Sequence, residues 1–338
     1  MSFKRLDPED FLISADSITA GAWYGNNPTL TEFHTSSVQE AGASGNYYLN
    51  IYQTESSDST AEVQFNIAYG NSDGSGSALY DSGINGKSYT STIFGQFQNI
   101  VLGDEDNNFV FGTVTPVTQS IYALTVDRAK YKGNIFPGTL DLRISGAREI
   151  RLTDNSKDVS TVSFNEAGRV FQIVSGSSGS AYTGTGYSTN SGSYGLFLPD
   201  IGTIILNDSA LKLGAGAGGG AGLDTEYDSD TSNQNPRKLF TAISASGTFT
   251  LNSQENITSD YVFVRARNNE YNYSANPSFI TGSTGEVLYN DFINSPQTFI
   301  TTIGLYNDSN ELIAVAKLSK PLKKDFTKEA LIRVKLDF

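Results

Sequence analysis

Two stretches around residues 213–230 carry groups that could bind a cofactor or a metal ion. The glycine tract 213–222 contains a formal G-x-G-x-x-G pattern, but the residues after it are glycines and acids, which cannot open a helix around an anionic pyrophosphate. The acidic run 224–230 places carboxylates at alternate positions, as calcium loops do. Ser229 and Asn235, however, stand where an EF-hand needs Gly and Glu. The sequence therefore predicts no cofactor and no metal site, and a structural calcium ion at the acidic run is the open alternative.

Nucleophilic and acid–base catalysis have little support among the other residue types. The sequence has no cysteine and a single histidine, His34, so it has neither thiolate chemistry nor a multi-histidine metal site. A catalytic triad would depend on His34 alone, and no nucleophile motif accompanies it. No spacing among the 36 acidic residues singles out a glycosidase pair. We therefore expect a protein that is not an enzyme.

The composition is typical of a β-rich chain. Charged residues make up 17% of the chain, and 18 Tyr, 20 Phe and 33 Gly accompany frequent Ser, Thr and Asn. The predicted fold class is mainly β, with β-sandwich or barrel-like domains, long Gly/Ser-rich loops and one or two short helices. The net charge of −13 argues against a nucleic-acid partner. The sequence has no run of 18 apolar residues, so we expect no membrane association. Because it also shows no apolar N-terminal segment, we expect the protein to be made in a cytoplasm.

Changes in composition predict four regions along the chain. Residues 1–45 are predicted to form an extended N-terminal arm with Trp23 and Tyr24 as aromatic anchors, which either lie on a neighbouring subunit or pack on their own domain. Short alternating runs predict a β-sandwich-like domain over 46–175. Residues 176–234 are predicted to be a Gly/Ser-rich and acidic loop region, and 235–338 a C-terminal domain with a short helix and an antiparallel meander.

Two local features in these regions carry further predictions. Asn235 followed by Pro236 is a strong helix start, and Gly247 is a natural end for that helix. The Ser/Gly loop around Tyr182, Tyr187 and Tyr194 has the composition of a recognition surface, since Tyr supplies contact area and Ser and Gly adapt. We expect this loop either to rest on a neighbouring subunit or to recognise a sugar or a protein.

The segment 298–338 has the strongest strand pattern. Apolar residues alternate on both sides of a polar turn, and a further alternating run follows Pro321, which predicts a hairpin, a break at the proline and a closing strand in one three-stranded antiparallel unit. The apolar positions before and after the turn are Phe299, Ile303, Leu305, Leu312, Ala314, Ala316 and Leu318.

The same end of the chain is basic although the chain as a whole is acidic. Residues 317–338 hold seven basic and three acidic side chains, which leaves a net charge of −17 on the first 316 residues. This polarity predicts docking against an acidic neighbour, including another copy of the chain, through Lys323, Lys324, Arg333 and Lys335. The alternative is that the lysines only protect an exposed strand edge.

The amino-acid sequence of this segment resembles sequences from a known group of proteins. Residues 302–308 (TIGLYND), 311–318 (ELIAVAKL) and Pro321 resemble a hairpin that recurs in tail proteins of contractile-tailed bacteriophages. The run 323–336 and the stretch 195–202 (GLFLPDIG) resemble virion structural proteins of large myophages of marine cyanobacteria. The resemblance extends from residue 195 towards the C-terminus and gives no activity.

The resemblance implies a non-enzymatic structural component of a bacteriophage virion, in the tail or baseplate, that mediates subunit assembly or fibre attachment. Its expected partners are other virion structural proteins and further copies of itself, and its expected location is the virion after synthesis in the host cytoplasm. Two alternatives remain open: a receptor- or glycan-binding module of a tail fibre or virion surface, and a neck or head-associated structural protein.

Overall fold

The computed structural model describes residues 4–36, 48–77, 81, 83–84, 88–104, 106–112, 119–182, 192–214, 219–225, 234–273, 277–281 and 283–337. The chain is mainly β, as predicted. It divides into a terminal unit, Met1–Ser17 with Asn256–Phe338, and a central unit, Ile18–Glu255. The observed division differs from the predicted boundaries: the one after residue 175, for example, falls inside a strand.

The strands and helices are numbered here in chain order. The strands are β1 (Phe11–Gly21), β2 (Thr29–Leu30), β3 (Tyr48–Tyr52), β4 (Val63–Asn71), β5 (Ser120–Val126), β6 (Asn134–Ile135), β7 (Asp141–Ser145), β8 (Glu149–Asp154), β9 (Ser163–Asn165), β10 (Gly168–Ser177), β11 (Ser180–Ala181), β12 (Gly195–Leu198), β13 (Thr203–Asn207), β14 (Phe249–Thr250), β15 (Asn252–Ala266), β16 (Gln297–Tyr306), β17 (Leu312–Asp325) and β18 (Ala330–Asp337). The α-helices of the described residues are α1 (Tyr89–Leu102), α2 (Asp208–Lys212), α3 (Gln234–Ser246) and α4 (Asn290–Asn294).

The central unit is one large antiparallel sheet that closes on itself. Its strand order is β2-β14-β7-β8-β10-β12-β13-β5-β4-β3, with β9 and β11 attached to β10. At one edge Leu30 of β2 pairs with Phe249 of β14. At the other edge the His34 amide donates to the Tyr52 carbonyl at 3.0 Å, and the Tyr52 amide donates to the His34 carbonyl at 2.8 Å. Because Leu30 and His34 belong to one short segment, this segment joins the two edges into a barrel-like ring.

Side-chain alternation along the strands builds two apolar layers. In β5, Tyr122 and Leu124 point into the main core, whereas Ile121 and Ala123 join a second cluster on the other face of the sheet. Helix α1 covers that second cluster with Phe94 and lies so close to β4 that its backbone leaves room only for a glycine at position 70. Strands buried on both faces explain the nearly continuous apolar runs of this region.

Helix α3 begins and ends where the sequence predicts. Asn235 and Pro236 lie in its first turn, and Gly247 follows its last residue with a left-handed φ of 71°. Leu239 and Ile243 enter the main core, and the helix packs against β7, β4 and β3. The predicted helix start is therefore confirmed.

Part of the predicted arm packs into the core of the central unit, so Trp23 follows the second of its two expected roles and is not an interface residue. Only 2% of this residue is exposed, and its ring centroid lies 4.8 Å from that of Phe249 and 5.9 Å from that of Phe65. Its indole Nε1 donates to the Phe249 carbonyl at 2.8 Å. The burial of Trp23 could not be predicted from periodicity, because a 3-10 turn follows it and Gly25 in that turn has a φ of 67°. The turn interrupts any strand or helix pattern at this point.

The terminal unit consists of two small sheets. One has the order β1-β15-β18, and the other is the hairpin β16–β17. Val262 and Val334 of the first sheet pack against Ile303 of the hairpin, with Leu305 and Ala316 beside them. The two sheets therefore bury one face each and leave the other face outside.

The predicted hairpin is confirmed, but its expected continuation is wrong in two respects. Pro321 does not break the strand, because it lies in β17 at an irregularity of the register, where residues 318–321 have no ladder partner and the missing N–H costs no hydrogen bond. The closing strand β18 pairs with β15 and not with β17. Phe299 and Leu312, expected on the apolar inner face, are exposed.

Trp23→Ala should lower the free energy of unfolding of the central unit by about 3–5 kcal/mol. The substitution removes a buried ring and a buried hydrogen bond where the sheet closes. Tyr24→Ala is the matched control, since the neighbouring ring is largely outside, and it should cost about 1 kcal/mol or less. Urea unfolding monitored by far-UV circular dichroism measures both changes, because this signal does not require the tryptophan that the variant lacks. Equal losses for the two variants would contradict the assigned role of Trp23.

Candidate assembly surface

The aromatic residues expected at an interface occupy different environments. Tyr194 is buried, its hydroxyl donates to the Gly219 carbonyl at 2.6 Å, and burial raises the pKa of its phenol. Tyr24 is partly exposed under the Lys130 ammonium, which lies 5.9 Å from its ring centroid. Tyr182 is also partly exposed, and its hydroxyl accepts from the Arg151 guanidinium at 3.4 Å. Tyr187 lies outside the described residues.

With Trp23 and Tyr194 inside the central unit, these two side chains offer no surface to a neighbouring subunit. A shallow cleft of about 180 Å³ lies beside Tyr24 and is lined by Leu30, Glu32 and Gln53 among others. It is smaller than the roughly 300–1,000 Å³ of ordinary small-molecule sites. The predicted aromatic anchors therefore do not assemble into one binding site.

Lys324 is fully buried in the terminal unit, which corrects its expected docking role. Its ammonium donates to the Asp325 carbonyl at 2.8 Å, to Asn272 Oδ1 at 2.7 Å and to the Asn268 carbonyl at 3.1 Å. These bonds hold the loop after β15 against the end of the hairpin. Lys323, one residue earlier on the strand, points to the opposite side and is exposed.

Lys324→Met should destabilise the terminal unit by about 2 kcal/mol, because the methionine fills the same space but leaves one buried and two partly buried oxygens without this donor. Lys323→Met is the matched control at an exposed position and should stay within about 0.5 kcal/mol of the wild type. Equilibrium denaturation compares the two. An unchanged stability for Lys324→Met would show that the buried ammonium is not a structural tie.

The outer side of the hairpin is largely apolar, and we call it the hairpin face. It comprises Ile313, Val315 and Lys317, which alternate along β17 with the inward-facing Ala316. Ile313 and Val315 are 69% and 53% exposed, and Lys317 is exposed. Phe299 and Lys323, also exposed, pair with each other further along the hairpin, on the side that strand alternation shares with Ile303. A grouped patch of this kind on a folded protein is typical of an interaction site.

The outer side of the other sheet carries the remaining predicted basic residues. Arg333 pairs across the ladder with Phe263 and Lys335 with Tyr261, and their charged groups lie 5.3 and 5.9 Å from the centroid of the Tyr261 ring. Lys335 forms a 2.9 Å ion pair with Asp337, which raises the pKa of the lysine. The Ser259 hydroxyl, helped by Lys335, lowers the pKa of Asp337.

The four basic residues expected to act together are therefore divided among three places. Lys323 lies beside Phe299 towards the end of the hairpin, Arg333 and Lys335 lie on the outer face of the other sheet, and Lys324 is buried against the loop after β15. The sequence shows their proximity along the chain, but it does not show that β18 leaves the hairpin and pairs with β15.

Strand β1 adds exposed apolar residues that sequence reasoning missed. It lies at the edge of its sheet, and Phe11, Leu12 and Ile13 are all largely exposed although they follow one another. An edge strand with exposed apolar side chains on both faces is prone to pair with another chain. A consecutive apolar run at the start of the predicted arm was the available signal.

Within the described ranges, no group of three or more His, Asp or Glu residues could hold a metal ion. Asp224 pairs with Lys212 at 3.0 Å, whereas Glu226, Asp228 and Asp230 fall outside the described residues. The His34 ring lies between Glu55 and Glu32, at 3.3 and 3.9 Å. None of the helices that the structure describes is both long and apolar enough to cross a membrane.

Comparisons of the chain with protein-family models, with curated proteins and with solved structures found no match.

Proposed function

We propose that this protein is a non-enzymatic structural component of a bacteriophage virion, in the tail or baseplate, whose terminal unit joins it to neighbouring subunits. The observation that carries the proposal is the hairpin face. Its two large apolar side chains, Ile313 and Val315, are each more than half exposed, and Lys317 borders them. A monomer gains nothing from this arrangement, because the exposed branched chains only order water.

Burial of this face against a neighbour is energetically favourable. Covering one large apolar side chain stabilises a complex by about 1.5–3 kcal/mol relative to leaving it in water, before the cost of association. The bordering Lys317 would add orientation and faster encounter with an acidic surface. The hairpin itself is held by the apolar layer beneath it and by Lys324, so the face is ordered before a partner arrives.

The assignment to a phage particle rests on the resemblance. The two stretches that carry it most clearly, residues 302–308 and 311–318, form the facing parts of the hairpin β16–β17. The sequence that resembles tail proteins of contractile-tailed phages thus lies in the element that presents the hairpin face. The glycan-binding alternative has weaker support, since Tyr194 is buried and the Tyr182 hydroxyl already bonds to Arg151.

Ile313→Ser combined with Val315→Ser should reduce the amount of this protein in purified particles by about tenfold or more, because the substitutions remove most apolar contact area of the hairpin face. Quantitative mass spectrometry of particles from cells expressing the variant measures the effect. Val110→Ser, at an exposed apolar position of the central unit, is the control and should be incorporated normally.

Thermal unfolding of the isolated variant should match the wild type, which separates lost assembly from lost folding. Absence of the wild-type protein from purified particles and their precursors would refute the virion role. Normal incorporation of the double variant would refute the role of the hairpin face.

A further inference from the structure

A carboxyl group is buried at the end of β8, on the core side of the central sheet. Asp154 is the last residue of this strand, its side chain is fully buried, and strand alternation puts it on the same side as Leu152 of the main core. The backbone amides of Gly138 and Ser156 donate to its Oδ2 at 2.7 and 3.3 Å. This carboxyl group therefore lies against the apolar core and takes its hydrogen bonds from neutral donors.

The other oxygen of the carboxyl group lacks this support. Asp154 Oδ1 is closed off from solvent and has no hydrogen-bond partner in the described part of the chain. The Ser156 hydroxyl lies close enough to favour the charged carboxylate, but its oxygen is likewise buried without an aligned partner among the residues described. An ionised carboxylate needs donors at both oxygens, whereas a protonated one accepts mainly through one of them, so the site suits the neutral form. Burial accordingly raises the pKa of Asp154, and the neighbouring hydroxyl and amides offset this effect only in part.

Asp154 lies where three turns meet, and we call this junction the Asp154 clasp. Its turns comprise residues 136–139, 154–158 and 177–180. The Asp154 carboxyl group bonds the second turn to the Gly138 amide of the first. In the third turn, the Gly179 amide donates to Thr153 Oγ1 at 2.8 Å, and the Gly179 carbonyl accepts from the Lys157 amide at 3.0 Å. A Cβ at position 179 would lie 2.7 Å from the Gly138 Cα, so the first and third turns touch.

The charged groups of the surrounding elements point away from the clasp. The titratable side chains of the three turns and of strands β7, β8 and β10 are, besides Asp154 itself, Asp141, Arg143, Glu149, Arg151, Lys157, Asp158 and Arg169. Those of β7 and β8 lie on the outer face of the sheet, opposite to Asp154 in the alternation. Lys157 and Asp158 are exposed, and Arg169 is bonded to Asp200. Burial, and not a charged neighbour, therefore sets the behaviour of the Asp154 carboxyl group.

We propose that Asp154 is a proton-operated clasp: the three turns stay closed over its neutral carboxyl group and open to water when the group ionises. Water reaches both carboxylate oxygens only when the turns separate, so ionisation and opening favour each other by linkage. Because the pKa is raised in the closed state, the stability that the neutral group contributes is fully present below the ordinary aspartate pKa and is lost as the pH rises through the raised pKa. The inference concerns the central unit and does not depend on the virion role.

The clasp holds the end of the sheet that carries β11. This strand pairs with β10 in the hairpin that contains Gly179, and its Ala181 amide donates to Asp158 Oδ2 at 2.7 Å. Tyr182, the next residue, is partly exposed. Opening of the clasp would therefore loosen the hairpin from the turn at 154–158 and change how firmly the Tyr182 side chain is presented to solvent.

The protonation state of Asp154 can be read directly by NMR. In protein labelled with carbon-13 at the aspartate carboxyl groups, the signal that is missing from Asp154→Asn belongs to Asp154. A titration from about pH 3 to about pH 8 should show this signal changing at a higher pH than the ordinary aspartate pKa. A midpoint at or below the ordinary value would overturn the proposal.

Amide hydrogen exchange measures the opening itself. Exchange through a fixed opening equilibrium accelerates about tenfold per pH unit, because hydroxide catalyses it. If ionisation of one carboxyl group drives the opening, the amides of Gly138, Lys157 and Gly179 should accelerate up to about a hundredfold per pH unit between the two pKa values. In Asp154→Asn, which keeps an acceptor for the Gly138 amide but cannot ionise, the same amides should accelerate about tenfold per pH unit.

The Leu251 amide, which donates to the Pro28 carbonyl at 2.8 Å in the same unit, is the internal control. It should accelerate about tenfold per pH unit in both chains. Equal slopes for Leu251 and the clasp amides in the wild type would refute the clasp, whether or not the variant folds. A steep slope that persists at the clasp amides of a folded Asp154→Asn would refute the assignment of the titrating group to Asp154.

Discussion

The hydrogen bonds at the two ends of residues 29–34 hold the central sheet closed, and the rest of that unit depends on them. One end of the segment pairs with β14 and the other with the last residue of β3, so this segment links the two edge strands of the sheet. The Trp23 indole fills the inside of this junction and bonds to the backbone of Phe249. Closure also explains how a sheet of this size buries one continuous core, to which helix α3 adds Leu239 and Ile243.

The two units solve the problem of exposed strand surface differently. In the central unit the ring closes its edges and helix α1 covers part of the outer face, so that several strands are buried on both sides. In the terminal unit each small sheet has one inner face and one outer face, and apolar side chains remain on the outside. The central unit therefore holds most of the buried apolar core, whereas the terminal unit leaves large apolar side chains in contact with solvent. This contrast is the basis for proposing that the terminal unit contacts neighbouring subunits.

The sequence was sufficient for elements with a strong local signal. The hairpin β16–β17 follows from alternation around a polar turn, and helix α3 from Asn235, Pro236 and Gly247. It was insufficient where distant contacts decide the outcome. Nothing local distinguishes Lys323 from Lys324, since adjacent strand residues point to opposite sides and only the tertiary structure says which side is inside. Pro321 is compatible with β17 only because of a register irregularity, and the closing role of residues 29–34 depends on partners more than 200 positions away in one direction.

The discontinuous make-up of the terminal unit has a consequence for the order of events during translation. The central unit is complete once residue 255 has been added, whereas β1 waits for β15 and the inner face of the hairpin waits for β18. At about 5–20 residues per second, the remaining stretch takes roughly 4–17 s to synthesise. During that time the nascent chain carries all residues of the central unit, whereas the apolar inner face of the hairpin has no β18 to cover it. The stability of the terminal unit therefore depends on two segments that are translated more than 230 residues apart, and β1 has to remain unpaired until the second of them is made.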